Sequence, residues 1–408
     1  MEQKVASAKE EGLFEPVSLH PYIDLNTCIG SAACVADCPE KDILGIIDGK
    51  ATVIKASNCV GHGACFHACP VEAISLRIGT ESRGVDLPHV NERFETNIKG
   101  IYIAGELGGM GLIKNSVEQG QQAMTYIAKN GKPRQPGVLD VIIIGAGPAG
   151  ISATLSAKQH GLTSKTLEQN SLGGTVYTFP RAKIVMTAPM NLPLFGKVKL
   201  YDTSKDELLN LWNEVITKHG IEITENTKVE LITPLADDTF KVVTNKGEEF
   251  ICNNVLLAIG RRGTPRKLNI PGEDKPKVAY RLLEPERINE KKVVVVGGGD
   301  SAIESALLLK DQNEVILSYR KDKFSRLKTK NKEKVFQAME DSSLNVIFNS
   351  NLRGVEDETV LLETEAGKEN IENDLVYIFA GGELPTKFLE KAGVQVTKRF
   401  GYTMKKHL

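Results

Sequence analysis

Six of the seven cysteines lie between positions 28 and 69, in two runs, "CIGSAACVADCP" (28–39) and "CVGHGACFHACP" (59–70). Cys28, Cys34 and Cys38 return 31 positions later as Cys59, Cys65 and Cys69, and Pro39 returns as Pro70. One offset shared by four positions marks an internal duplication. Thiols this crowded, in a chain whose charged start lacks a signal-peptide core, point to metal before disulfides. Midway between the first two cysteines of each run stands a different residue, Ser31 in one and His62 in the other. Each run thus offers three thiols. His62 adds an imidazole, either as a fourth donor or beside the metal, and Ser31 reads as a non-ligand.

Two glycine loops carry the second kind of chemistry. In "DVIIIGAGPAG", Gly145, Gly147 and Gly150 follow an apolar run and open a helix, with Pro148 and Ala149 inside the turn. Backbone N–H groups at such a helix start can cradle a pyrophosphate. Glu168, 23 residues after Gly145, ends the next strand with Gln169 behind it, where a carboxylate can accept bonds from ribose hydroxyls. In "VVVVGGGDSA" the same pattern recurs as Gly297, Gly299, Asp300, Ser301 and Ala302. Twenty-three residues after Gly297 comes Arg320, among Lys321, Lys323, Arg326 and Lys328. A carboxylate there would repel a 2′-phosphate, whereas a guanidinium grips it with two bonds. The second loop is therefore expected to take NADP(H) rather than NAD(H).

These residues need elements to hold them. The chain has 408 residues, 41% hydrophobic and 25% charged, enough for two or three domains. Lys plus Arg is 51 against 52 for Asp plus Glu, leaving no overall field to draw nucleic acid or anionic lipid. The longest apolar runs are short and broken by glycine, so no membrane insertion is expected, and a cytoplasmic location is the default. The expected division is a polar arm (1–20), the cysteine module (21–78), a strand–turn–helix piece with a linker (79–137), a first dinucleotide domain (138–270), a second (271–382), and a return to the first (383–408). Strands alternating with helices predict an α/β class, with parallel sheets covered on both faces.

Over 21–78 the chain resembles the bacterial two-cluster ferredoxin, a small α+β module. In that family the last cysteine before proline crosses to the other cluster. The resemblance implies two iron–sulfur clusters, one held by Cys28, Cys34 and Cys69 and the other by Cys59, Cys65 and Cys38. With three thiolates each, both [3Fe–4S] and [4Fe–4S] stay open, as does zinc.

Over about 85–408 the chain resembles the two-dinucleotide flavoproteins of the thioredoxin-reductase type, whose first loop binds FAD and whose second binds NADPH. "SLGGTVYTFPRAKIVMT" looks like the stretch bordering the flavin, with Gly173, Gly174 and Thr175 nearest to it. "LLAIGRRGTPRKLNIPGE", including Ile259 and Gly260, looks like the strand and turn where that family's domains join. Its closing motif, T-x3-G-[IV]-[YF]-x-A-G-[DE], is absent from the end of this chain. It occurs upstream as Thr96, Gly100, Ile101, Tyr102, Ala104, Gly105 and Glu106, before a helix expected near Gly111, Leu112 and Ile113. Residues 85–131 are thus expected to supply the missing wall of the FAD domain in permuted order. Whether they do so in their own chain or in a partner of a homodimer stays open.

Within that family the 138–408 part is most similar to the bacillithiol-disulfide-reductase-like flavoproteins. These carry a cysteine where this chain has Ala149, and no redox C-x2-C appears elsewhere. Thiol-free relatives resemble ferredoxin–NADP reductases. The expected function is an NADPH-dependent FAD oxidoreductase moving electrons through the clusters to or from a carrier protein or partner subunit. The alternatives are reduction of a disulfide or other small substrate at the flavin, and a redox-sensing subunit without turnover.

Overall fold

The structure, a computed structural model, describes the chain except residues 11–12, 17, 41, 60, 110, 180–183, 187–188, 201, 262, 325–326 and 404–408, and the side chains of 10, 184–186 and 202. It divides into two units. One holds residues 1–177, 182–261 and 384–408, and the other 178–181 and 262–383.

The first unit opens with helix α1 (Glu2–Glu10), where a polar arm was expected. Ala8 and Leu13 are buried, and the Leu13 carbonyl accepts a bond from the Ser57 amide at 2.8 Å. Two apolar contacts five residues apart are too sparse to show as helical periodicity, which is why the sequence reads as an arm. Strand β1 (Leu19–Ile23) follows, and the duplication itself begins with helix α2 (Ala33–Ala36). A hairpin of β2 (Leu44–Ile47) and β3 (Lys50–Val53) turns at Asp48 and Gly49, both with positive φ, as a two-residue loop requires. Helix α3 (Ala64–Ala68) opens the second copy, and β4 (Ile74–Ile78) pairs antiparallel with β1. The duplication is visible in the backbone. Gly30 and Gly61 have φ of 71° and 79°, and Ala32 and Gly63, the residues before α2 and α3, have φ of 58° and 74°.

Strand β5 (Val85–Pro88) leads to β6 (Ile101–Ile103) and helix α4 (Ile113–Lys129). The main sheet is then built from β7 (Leu139–Ile144), helix α5 (Pro148–Gln159), β8 (Ser164–Leu167), the capped helix α6 (Lys205–Lys218), β9 (Ile223–Thr224), β10 (Val229–Pro234), β11 (Phe240–Thr244) and β12 (Glu249–Leu257). Its parallel part runs β9-β8-β7-β12, and β6 adds in parallel register beside the second half of β12, with Val255, Leu256 and Leu257 opposite Ile101, Tyr102 and Ile103. The first half of β12 pairs antiparallel with β11. Alternate residues face opposite sides, so both faces are apolar, as expected for buried parallel strands. Val141, Ile143, Tyr102 and Leu256 pack with α4 and α5. Ile142, Ile144, Ile101, Ile103, Val255 and Leu257 form the other layer.

The second unit repeats the plan on a smaller scale. Its five-stranded parallel sheet consists of β13 (Val278–Ala279), β14 (Lys292–Val296), helix α7 (Asp300–Leu309), β15 (Glu314–Ser318), helix α8 (Thr329–Glu340), β16 (Asn345–Ile347) and β17 (Leu375–Ile378), in the order β13-β17-β14-β15-β16. Val293 and Val295 pack under α7 and α8, and Val294 faces the antiparallel strands over 351–372.

The chain then returns to the first unit through helix α9 (Thr386–Lys391), β18 (Val396–Arg399) and β19 (Tyr402–Thr403). Leu389, Ala392 and Val394 enter the core layer of the large sheet. The strands beyond continue past it: β18 pairs with β5, and β19 joins β4 in the sheet of the cysteine module. Residues 384–408 belong to the same unit as the first glycine-loop domain, and Val396 packs on its core as well, but β18 and β19 pair with strands outside the large sheet. Partners some 300 positions upstream leave no local signal.

Candidate functional site

In the cysteine module, Cys28, Cys34 and Cys69 line one cavity together with Ser31, although Cys69 belongs to the other copy. Cys38, Cys59 and Cys65 form the second group: burial pushes the Cys65 thiol up to about 12, with Cys59 and Cys38 adding to it. Burial likewise raises Cys59 to about 11. Thiols held this high are poor nucleophiles in their free form. Backbone amides already point at the sulfurs: Ala51 N–H to Cys28 Sγ at 3.4 Å, Gly61 N–H to Cys59 Sγ at 3.4 Å, and Ala73 N–H to Cys69 Sγ at 3.3 Å. The His62 Nε2 is buried without a hydrogen-bond partner, and burial lowers the imidazole pKa, leaving the neutral, donor form. Among the described residues no three His, Cys, Asp or Glu side chains are grouped tightly enough for a single ion. One zinc draws its sulfurs to about 2.3 Å, so Cys28, Cys34 and Cys69, spread around one cavity, fit a cluster better.

The first glycine loop follows β7. Gly145 has φ 104°, and a Cβ there would lie 2.5 Å from the Ala258 carbonyl and 3.3 Å from the Ile259 nitrogen. A Cβ on Gly150 would meet the Gly145 carbonyl at 1.8 Å, while Gly147 faces open space, which is the cradle a bound pyrophosphate needs. Pro148 and Ala149 begin α5. Glu168 is buried at the end of β8, its carboxylate accepting from the Ala146 amide at 2.7 Å and the Asn170 amide at 2.9 Å, with Gln169 exposed beside it. The Gly173 amide donates to the Ala146 carbonyl, and a Cβ on Gly174 would be 3.2 Å from Gly147, so the segment ending in Thr175 lies on the loop. Gly260 follows β12 with positive φ.

Strand β6 delivers the upstream motif to the same place. The Ala104 amide donates to the Leu257 carbonyl, and a Cβ on Gly105 would sit 3.1 Å from that of Ala149. Gln119, in α4, accepts the Gly105 amide at 2.8 Å. Helix α4 itself starts at Ile113 behind Leu112, whose φ is 82°, and Gly111 faces open space. Glu106 lies electrostatically close to Arg261, as does Asp86; these carboxylates offset part of what burial costs the guanidinium.

In the second unit, Gly297 (φ 144°) lies against the Phe379 carbonyl, 2.7 Å from where its Cβ would be, and Gly299 is open. Ala302 is buried and Ser301 exposed. Asp300 instead ties two helices together, accepting from the Lys328 amide at 3.0 Å and from Asn331 Nδ2 at 2.7 Å. Arg320 and Lys321 are exposed just past β15, and Arg326 lies outside the described residues. The Tyr319 ring fills the space over Gly298, where a Cβ would be 2.1 Å away. Sequence reading missed Tyr319, Gln119 and Lys50. None belongs to a spaced motif, although Arg261 stands inside a quoted stretch.

Residues 142–406 match the family model described as pyridine nucleotide-disulphide oxidoreductase, and residues 20–70 match a 4Fe-4S dicluster domain. The chain is similar to a ferredoxin–NADP reductase of Ignicoccus hospitalis, 33% identical over 45% of this chain and 57% of the relative. It is similar to a bacilliredoxin reductase of Bacillus subtilis, 28% identical over 64% of this chain and 82% of that one, and to a ferredoxin–NADP reductase of Bacillus mycoides, 31% identical over 53% and 60%. This chain therefore spans less than two thirds of either ferredoxin–NADP reductase. Among solved structures, a bacillithiol disulfide reductase of Bacillus cereus superposes with a TM-score of 0.55 at 24% identity, covering 66% of this chain and 85% of that one. Among the described residues no helix is long and apolar enough to cross a membrane.

Proposed function

The chain belongs to the pyridine nucleotide-disulphide oxidoreductase family, and from that premise we propose that it is an NADPH-dependent FAD oxidoreductase whose electrons pass through two iron–sulfur clusters to or from a carrier protein or partner subunit. The family implies FAD and NADP(H), and the cysteine module implies an iron–sulfur cluster. The observation that carries the reading is the fate of the cysteines. All seven are free; six line the module, and the seventh, Cys252, is 0% exposed inside β12 with its thiol pushed by burial to about 12. With Ala149 in the first loop, no thiol is left to attack a disulfide, which is how the bulk of such reductases would hand electrons on. The module is the outlet that remains. When bound, FAD accepts a hydride and can release electrons singly, the only form a cluster accepts.

In this reading Gly145, Gly147, Gly150, Gly173 and Gly174 hold FAD, and Glu168 holds its ribose. Residues 85–131 stand in for the family's C-terminal segment within the same chain, supported by the parallel pairing of β6 with β12 and by Gly105 beside Ala149. Gly297, Gly299 and Arg320 hold NADP(H). Cys28, Cys34 and Cys69 ligate one cluster; Cys38, Cys59, Cys65 and His62 the other. Anaerobic mixing with NADPH, followed by absorbance and EPR, tests the whole sequence. Flavin bleaching followed by cluster reduction is expected; bleaching with clusters that stay oxidised would overturn it.

A further inference from the structure

The two copies of the cysteine run are alike in sequence and unlike in cover. Before Cys59, Ala56 is 3% exposed, and Lys55, Ser57 and Asn58 are half-buried. Upstream residues roof this stretch: the Leu13 carbonyl accepts the Ser57 amide, and the Ser18 hydroxyl donates to the Cys59 carbonyl at 3.3 Å. The equivalents 31 positions earlier, Asp24, Leu25, Asn26 and Thr27, are all exposed, Leu25 at 55%. This open loop is firmly built, since the Asp24 carboxylate accepts from the Asn26 amide at 3.0 Å and the Thr27 hydroxyl at 2.7 Å. Ile29 is 65% exposed and also lines the cavity of Cys28, Cys34 and Cys69, so one side chain touches both the cage and solvent. Its counterpart, Val60, lies outside the described residues.

The covered copy leads inward. A Cβ on Gly61 would lie 3.0 Å from that of Leu19, and the Gly61 amide donates to Cys59 Sγ. Leu19 packs with Ile78, Val85 and Leu87. Strand β5, which carries the last two, lies against Glu106–Gly108, the turn that ends the upstream glycine motif. A packed route thus runs from the first glycine-loop domain through β5 and Leu19 to the group of Cys38, Cys59 and Cys65. The other group sits at the opposite end of β1. There Ile23 pairs with Ile74, which lines the cavity of Cys28, Cys34 and Cys69. Four residue steps of strand separate the two ends, about 13 Å.

We propose that the Cys28, Cys34 and Cys69 cage is the outer one and passes single electrons to a carrier protein docked over Ile29 and Leu25. This rests on the reading that both cages hold clusters. Three exposed acids surround the face. Asp24 stands in the loop itself, and Glu72 lies between Val71 and Ala73, which line the cavity. Asp48 is in the β2–β3 turn, which presses on the loop so closely that a Cβ on Gly30 would be 2.0 Å from the Gly49 carbonyl. Against them stands Lys50, half-buried, its ammonium donating to the Cys28 carbonyl. An apolar centre with an acidic rim fits a carrier whose cofactor edge is ringed by lysines. One electron moves from the reduced inner cluster to the oxidised outer one and on to the oxidised carrier, with no bond made or broken.

The test is NADPH-dependent reduction of cytochrome c, a lysine-ringed one-electron haem carrier, by the full-length holoprotein beside Ile29→Lys, Leu25→Lys and Leu231→Lys. Iron, sulfide and flavin are measured per chain. Leu231, an exposed leucine on β10 of the large sheet, is the control. Ile29→Lys and Leu25→Lys should each raise the KM for cytochrome c about tenfold. Cluster reduction by NADPH and the rate with a small dye should stay unchanged, and Leu231→Lys should match the wild type. A KM that does not move, or that moves equally in Leu231→Lys, overturns the inference. If Ile29→Lys loses iron, Leu25→Lys decides alone. Self-association of the wild type that Ile29→Lys abolishes while the KM holds would give the face to a second copy and overturn it too. Wild-type clusters that NADPH does not reduce overturn the functional reading as well, whereas clusters that are reduced but pass nothing to cytochrome c overturn this inference only.

Discussion

In the proposed reading, nucleotide choice turns on Arg320. It is exposed just past β15, at the position where the first domain has Glu168, which leaves its guanidinium open to a 2′-phosphate. A charge-assisted hydrogen bond contributes about 1.5–3 kcal/mol, so Arg320→Ala should raise the KM for NADPH by about tenfold or more while that for NADH stays near its starting value. Steady-state kinetics with both nucleotides checks this, and equal losses for the two would show that Arg320 holds no 2′-phosphate. Gly150 makes a second case. A methyl there would stand 1.8 Å from the Gly145 carbonyl, a backbone atom that cannot swing aside. Gly150→Ala should therefore leave the purified protein poor in FAD with its iron content unchanged, read by flavin absorbance and iron assay on one sample. Both residues stand out in the sequence because the proposed chemistry needs them at fixed local spacing. Lys50 and Arg261 were not. Each meets its partner through a turn or a sheet, and nothing in their spacing announces it.

Among elements, the pairing of α4 with α5 decides whether the upstream piece can serve the glycine loop. Gly120 permits it: a Cβ would lie 2.1 Å from the Ala149 carbonyl. Gly120→Ala is expected to cost about 1–3 kcal/mol through overpacking, seen as a lower urea midpoint, and to weaken FAD binding as α4 lifts Gln119 from the Gly105 amide. Ser204→Ala is a useful contrast. It removes the reciprocal Ser204–Glu207 cap of α6, worth about 1 kcal/mol, and should lower the midpoint without touching flavin content. The long, strongly patterned elements were readable: β7 and β14 as unbroken apolar runs, α5 and α7 as the helices behind their glycines. The short ones were not. Helix α1 anchors itself through little more than Ala8 and Leu13, and β18 and β19 are set by strands at the other end of the chain.

At the scale of the whole molecule, the cysteine module is a small body with a thin core. Cys28, Cys34, Cys38 and Cys65 are themselves buried members of that core, beside Ile23, Ile43, Leu44 and Ile74. A domain of this size seldom buries enough apolar surface to be stable without staples. Two kinds are at hand: metal bound by the cysteines, whose binding energy is folding energy, and the C-terminal strands, which add to β4 and β5. Removing iron should therefore loosen the module and the strands that lean on it together. The large sheet should hold, since β7 and β12 are packed on both faces by apolar side chains of their own unit. Hydrogen exchange before and after anaerobic chelation reads this directly. Amides of β1, β4 and β19 are expected to exchange faster in the iron-free protein, and those of β7 and β12 to keep their protection. NADPH oxidation by a small artificial dye should survive the same treatment, while reduction of a one-electron carrier protein should stop. Uniform protection throughout would mean that the module folds on side-chain packing alone. Loss of dye activity along with carrier activity would mean that the cysteine cages support the flavin site itself and do not lie beyond it on the electron's route.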